Sequence, residues 1–341
     1  MRRGRAALHA LAVALPLWAC AAGPQPAPGP ALVAPSWPAE PALARVRWRA
    51  TLPSPAPRAE PSTFRKTLSA VLGTDEGEGA EGLALARPFG VFAGEGSLWV
   101  ADPDGRQVVR LPLQGGEPEQ VACPDRPWKM PMAVGVREGA VFVADAGAHQ
   151  LVRVTPQGCS LLGAGGALDR PTGIAFAAGR VYTVDPPRHA VVGFGAGGRE
   201  EVRFGVRGEG PGELNFPCAL AALPGGELLV VDALNFRVSR FTPEGKPLGS
   251  FGEPGDGGGA FGRPKAIAVG ADGRIFVSDA THDVVVVFGP GGAFELAFGG
   301  SGRGPGSLIM PAGLAVVGGR VWVADSLNAR IEEYELLGEA R

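Results

Sequence analysis

Four cysteines and four histidines are all that 341 residues contain. They form no C-x-x-C-H haem attachment and no zinc-ligand spacing. The one long apolar run lies near the N-terminus and covers roughly a dozen residues, too few for a spanning helix. Basic and acidic residues nearly balance, 32 against 34, for a formal net charge of −2. Nothing electrostatic therefore points to nucleic acid. Calcium loops are missing too. Asp75-Glu76-Gly77-Glu78 lacks the spaced ligand series and reads as solvated linker, and Asp102-Pro103-Asp104-Gly105 has Leu113 at the twelfth position, so it reads as a turn. Of three G-x-G-x-x-G matches, Gly77–Gly82 follows an expected helix instead of the strand that phosphate binding needs, and Gly193–Gly198 and Gly257–Gly262 are followed by strands instead of a helix, so all three read as turns and loops. What is plentiful is glycine, 54, and proline, 33, which point to many turns rather than long helices. A hydrophobic content of 45% excludes wholesale disorder.

The order in this composition is a repeat. Prolines at 88, 131, 171, 217, 264 and 311 are each followed by an aspartate at 102, 145, 185, 232, 279 or 325. The segments that end on those aspartates are SLWVAD, AVFVAD, RVYTVD, ELLVVD, RIFVSD and RVWVAD. A period of about 40–47 residues indicates a propeller or solenoid. Each unit reads as four short strands between Gly, Pro and Asp turns, and one such unit alone buries too little to be stable. The fold class is thus all-β, a six-bladed propeller with four-stranded antiparallel blades, over residues 45–337. Five units carry their outer strand, near Gln120–Cys123, Ser160–Leu162, Glu201–Phe204, Pro247–Phe251 and Phe294–Phe298. The sixth ends at Arg330–Leu336 without one. The isolated alternating stretch Arg45–Leu52 is expected to supply it and close the ring, because an open ring leaves an unpaired edge. Val46, Trp48, Ala50 and Leu52 are expected inward, and Arg45, Arg47, Arg49 and Thr51 outward. Between this strand and blade one, residues 62–73 are expected to hold a short helix, with Ser62 as its cap and Gly73 as its stop.

The first 19 residues have a basic start, an apolar run and then small residues, the pattern of a secretory signal. Leu17-Trp18-Ala19-Cys20 resembles the lipobox of bacterial lipoproteins. That resemblance implies diacylation of Cys20, and Ala21 after it implies the outer membrane, facing the periplasm or the cell exterior. Residues 20–44 are rich in Pro and Ala and read as an extended tether that holds the domain off the membrane.

The pattern P-x-x-[IVL]-A … [IV]-[FYW]-V-x-D … N-x-R resembles NHL repeats, which form six-bladed propellers. Asn235-Phe236-Arg237 and Asn328-Ala329-Arg330 match the corner motif; the other four corners depart from it. The family is functionally mixed, so this resemblance implies a fold more than an activity.

Each candidate for chemistry has a structural counterpart. The six repeated aspartates read as acceptors for backbone N–H groups at the corners, since a metal site gathers different residues rather than the same one from every blade. His149, His189 and His282 fall at corners of separate blades, so no shared metal site is expected. Peptide-amidating lyases of similar fold carry a His just after the blade's Pro, and gluconolactonase-like propellers bind an ion through channel carboxylates and Asn. Here those positions are Phe89, Met132, Thr172, Cys218, Lys265 and Ala312, none of them His, Asp or Glu. Lys265 alone is charged, and could draw an anion if it faces the channel. Cys123 and Cys159 sit in or beside outer strands of neighbouring blades; a disulfide and two free thiols are both open. Cys218 is expected in an inner strand.

The sequence therefore favours a lipid-anchored envelope propeller that binds an envelope protein or other extracytoplasmic ligand, without catalysis, cofactor or metal. Its candidate contact residues are Arg106, His149, Arg188, His189, Phe236, Lys265 and His282. The alternative is a channel-based hydrolase or lyase, metal-dependent and lactonase-like.

Overall fold

The structure, a computed structural model, describes residues 34–38, 44–52, 84–163 and 166–338. All of them belong to one compact unit, Ala34–Arg341. The signal segment, Cys20 and residues 62–73 lie outside the described residues.

Every blade begins at the ring's centre and works outward. In blade one the strands are Gly90–Gly94, Ser97–Asp102, Gln107–Pro112 and Glu119–Gln120. Blade four shows the fuller version: Pro217–Ala222, Leu228–Asp232, Arg237–Phe241 and Pro247–Phe251. The inner strands of the other blades are Pro131–Arg137, Ala175–Ala177, Pro264–Val269 and Pro311–Val317. The second strand of each blade is the most deeply buried, because both of its faces meet a neighbouring blade. Alternate residues therefore serve different interfaces. Leu98 and Val100 pack towards blade six, whereas Trp99 and Ala101 pack towards blade two. The apolar interior is accordingly six clusters, one between each pair of adjacent blades. Burying each such side chain stabilises by roughly 1.5–3 kcal/mol, so no blade is stable without its neighbours.

The ring closes as the sequence suggests. Val46–Leu52 pairs antiparallel with Arg330–Leu336 and supplies blade six with its outer strand. The alternation along it does not hold, however. A register shift between Trp48 and Ala50 inserts a bulge, and a bulge reverses which face the following residues use. Val46 and Trp48 pack towards blade five, Leu52 packs towards blade one, and Thr51 turns to the side of Trp48. A second difference concerns the tether. Ser36–Trp37 adds a fifth strand outside Val46–Leu52. Trp37 packs edge-on against Tyr334, with ring centroids 5.7 Å apart, and donates its indole N–H to the Gly299 carbonyl. Proline-rich composition outweighs one aromatic in a sequence reading; in the fold that aromatic finds a slot.

Cys123 and Cys159 are joined by a disulfide, with Cα atoms 6.0 Å apart. It links the outer parts of blades one and two. Blade one's outer strand is only Glu119–Gln120, shorter than the Gln120–Cys123 expected. The chain beyond it is held by this bond and by the Trp128 indole donating to the Val121 carbonyl.

Candidate functional site

The strand order places two kinds of loop on one face of the ring. The corners after each aspartate lie there, and so do the lead-in segments before each inner strand. Each aspartate ties the two together. Asp145 accepts from the backbone N–H of Lys129 and Met130, both at 2.8 Å, and from Gly147 and Ala148, both at 3.1 Å. Asp102, Asp185 and Asp279 likewise hold two lead-in N–H groups each. All six carboxylates are buried. Their repeated role is therefore to fix where each inner strand starts.

Blades four and six do this differently. Asp232 accepts one lead-in N–H, from Asn215, together with the Asn235 amide and the Arg237 guanidinium. Asp325 has the same set: Ile309, Asn328 and Arg330. The Asn and Arg of the N-x-R motif also grip the preceding glycine-rich loop. Arg237 donates to carbonyls of Glu209, Gly210 and Glu213, and Arg330 to those of Arg303, Gly304 and Ser307. The second lead-in N–H then passes to the neighbouring blade: Phe216 donates to His189 Nδ1, and Met310 to Asp283.

These contacts explain most of the corner candidates. Arg106, His149, His189 and Phe236 occupy one equivalent position, four residues after the aspartate, with φ between 50° and 59°. Asp283 and Ala329 share it, at 55° and 53°. Left-handed backbone without glycine is strained, and here it recurs in all six blades. His149 bonds the Asp169 carbonyl, joining blade two to blade three. His189 is buried and meets Phe216 edge-on at 4.7 Å, joining blade three to blade four. Phe236 packs into the interface of blades four and five. Arg188 donates to the carbonyls of Ala167 and Gly166 and approaches Asp185. His282 has a carboxylate at each ring nitrogen, Asp256 at 2.9 Å and Asp279 at 3.1 Å. Both nitrogens must donate, so the imidazolium is the fitting form, and the Asp256 hydrogen bond, opposed by desolvation and aided by the Asp279 charge, raises its pKa above 6.5. Arg106 is exposed. The three histidines thus make separate contacts.

The central channel is a cavity of about 260 Å³ walled by all six inner strands. Those strands are sheet edges, so their free backbone groups contribute to the wall. The side chains around it are small or apolar, among them Val91, Phe92, Ile174 and Phe176, with Met132 and the Thr172 hydroxyl nearer the face just described. Carboxylate, imidazole, thiol and amide side chains are absent from that lining. Among the described residues, no group of three or more His, Cys, Asp or Glu could hold a metal ion. Cys218 donates from Sγ towards the Lys265 carbonyl at 3.3 Å, and burial pushes its thiol up to about 12. The residue as a whole is only partly covered; it is the sulfur that sits deep in the ring.

Lys265 stands at the same end of the channel, half-buried. Desolvation lowers its pKa, the neighbouring Cys218 sulfur opposes that, and the charges of Arg263, Arg87 and Arg170 lower it further. Those three arginines immediately precede the prolines of blades five, one and three. The full set of residues at that position, from blade one to blade six, is Arg87, Met130, Arg170, Phe216, Arg263 and Met310. Cations on odd-numbered blades alternate with large apolar residues on even-numbered ones. The position one residue after each proline carries a single charge, Lys265, whereas the position one residue before it carries three.

No protein-family model matches this chain, and none of the curated proteins compared with it does. Solved structures do resemble it. A gluconolactonase from Xanthomonas campestris is 17% identical over 74% of this chain and 87% of its own, with a TM-score of 0.59. Virginiamycin B lyase from Staphylococcus aureus is 15% identical over 74% of this chain and 96% of its own, with a TM-score of 0.55. A protein of unknown function from Bacteroides thetaiotaomicron is 16% identical over 74% and 70%, with a TM-score of 0.59. At such identities the likeness establishes a shared six-bladed fold.

Proposed function

We propose that this chain is a lipid-anchored, NHL-type propeller of the cell envelope that works by binding, and that it binds through the face bearing the aspartate corners. The supporting observation is where most exposed apolar side chains collect. Leu248 and Phe294 lie on outer strands and Val317 at the hairpin end of blade six, but the other five group together: Val206, Leu327 and Leu234 are 63%, 54% and 52% exposed, and Phe216 and Met130 join them. All five lie in corners or lead-in segments of that one face. Arg170 and Arg263 lie among them, and neither makes a side-chain hydrogen bond or ion pair among the described residues. Exposed apolar side chains mixed with arginine are the composition of recognition surfaces. The opposite face is made of tight hairpins such as Glu95-Gly96, Glu138-Gly139 and Ala178-Gly179, with backbone at positive φ, and of the exposed large apolar side chains only Val317 lies there among the described residues.

The test is site-specific photo-crosslinking in native membranes. Probes at Leu234 and Leu327 should capture envelope proteins, and probes at Glu95 and Ala178 should not. Capture from the hairpin face alone overturns the assignment.

A channel-based enzyme remains the second reading, because the solved structures of like fold include a lyase and a gluconolactonase. The divalent ion such chemistry would use finds no donor set in this channel wall. The residues present do not fit the group. Metal analysis of the purified protein, with a lactone hydrolysis assay, tests this reading: one tightly bound ion per chain and measurable turnover would favour it.

A further inference from the structure

The geometry points to a binding site for a small amphipathic anion on the propeller axis: a carboxylate or phosphate head held by Arg87, Arg170, Arg263 and Lys265, with an apolar stem in the channel. This inference rests on the reading of the chain as a binding module and names what one part of its binding face takes.

Three arginines on alternate blades stand around a single axis. Each precedes the proline that leads into an inner strand, and Phe89, Thr172 and Ala266, two or three residues further on, line the channel, so all three backbones converge on its mouth. Lys265 belongs to the same end: the residues at its equivalent position in blades one, two and three, Phe89, Met132 and Thr172, line the channel, and the charges of Arg263, Arg87 and Arg170 help to lower its pKa. The nearby aspartates are already committed to backbone N–H groups. Arg87 keeps only a long 3.8 Å approach to Asp104, with both side chains well exposed. The side chains of Arg170 and Arg263 make no hydrogen bond or ion pair among the described residues. Four cations of one sign at the mouth of a low-dielectric shaft focus a positive potential there. Guanidinium forks suit the planar or tetrahedral oxygens of carboxylate and phosphate.

The shaft specifies the rest of the ligand. It is lined by small and apolar side chains, and its volume of about 260 Å³ suits a short hydrocarbon or one aromatic ring. Between the arginines, Met130, Phe216 and Met310 add apolar surface at the mouth. A fully hydrated inorganic anion would use the head site and leave the shaft without a partner.

Calorimetric titration of the purified full-length protein tests the site. The probes are hexanoate and hexylphosphate, with inorganic phosphate as a head without a stem and hexyltrimethylammonium as a stem of opposite charge. The two hexyl anions should bind, and the comparison between them identifies carboxylate or phosphate as the preferred head. Added salt should weaken binding. The triple variant R87Q/R170Q/R263Q should weaken it by at least about tenfold, as should K265M. The arginines are exposed, and R263Q alone removes no side-chain hydrogen bond or ion pair among the described residues, so loss of folding does not confound the result. Equal binding by wild type and triple variant, equal binding of hexyltrimethylammonium, or no binding of either anion overturns the site. Inorganic phosphate binding as tightly as hexylphosphate overturns the placement of the stem. If the anions fail while crosslinks from Leu234 and Leu327 persist, only this inference falls and the binding reading stands.

Discussion

Trp48 donates its indole N–H to the Glu332 carboxylate at 2.6 Å, across 284 residues of chain. The bond lies at the seam where the first strand of the ring meets the last. Glu332 is fully buried and also accepts from Thr51 and Arg330. Trp48→Phe leaves a buried carboxylate short of a donor, and should cost about 1–3 kcal/mol in urea unfolding at neutral pH. Burial raises the Glu332 pKa, and the Trp48 bond pulls it back. A carboxyl raised in the folded state stabilises most below its unfolded pKa, and that stability is lost as pH rises through the folded value. The variant's folded value lies higher still. Its deficit should therefore be smaller near pH ~5 than near pH ~8.

Asp145 serves four backbone N–H groups, the most direct case of a carboxylate fixing a strand's start. Asp145→Ala should cost about 2–4 kcal/mol, and Asp145→Asn about half of that, because the amide oxygen still accepts. Chemical denaturation of both variants measures the difference. Equal stability of Ala variant and wild type would remove the pinning role.

His282 is expected to be imidazolium in the folded state, bridging Asp256 and Asp279. Its folded pKa is raised above 6.5, so its contribution is fully present below that ordinary value. It fades as pH climbs through the raised folded one. His282→Gln should remove this slope: the variant should trail wild type near pH ~6 and converge with it near pH ~9. Urea midpoints at both pH values decide it.

The Cys123–Cys159 bond spans 36 residues of sequence. A cross-link over such a loop restricts the unfolded chain by about 3–4 kcal/mol. The C123S/C159S variant should lose stability on that scale. Limited proteolysis should then cut first between Gly115 and Met130, where the outer strand of blade one is only two residues long. An unchanged cleavage map would show that Trp128 alone holds that segment.

The blades were legible because each one is local. Proline, which lacks an N–H, marks the strand start, and a buried aspartate some fifteen residues later answers the N–H groups just before it. The N-x-R corners were legible as a motif, but not their task of gripping the preceding loop. Thr51 was placed on the wrong side because a bulge leaves no mark in an alternating pattern. Trp37 was lost among prolines because its partners, Phe298 and Tyr334, come from the far end of the chain. The disulfide stayed open because nothing in the order of residues reports a 6.0 Å Cα separation.

The sequence by itself determined the unit, its number and its closing strand, since these depend on periodicity and on short-range backbone hydrogen bonding. Only the tertiary structure decided which side chains of different blades meet. Arg87, Arg170 and Arg263 are 83 and 93 residues apart in the chain, and come to one end of the central channel because six rigid units, forced to bury both faces of every blade, close around an axis.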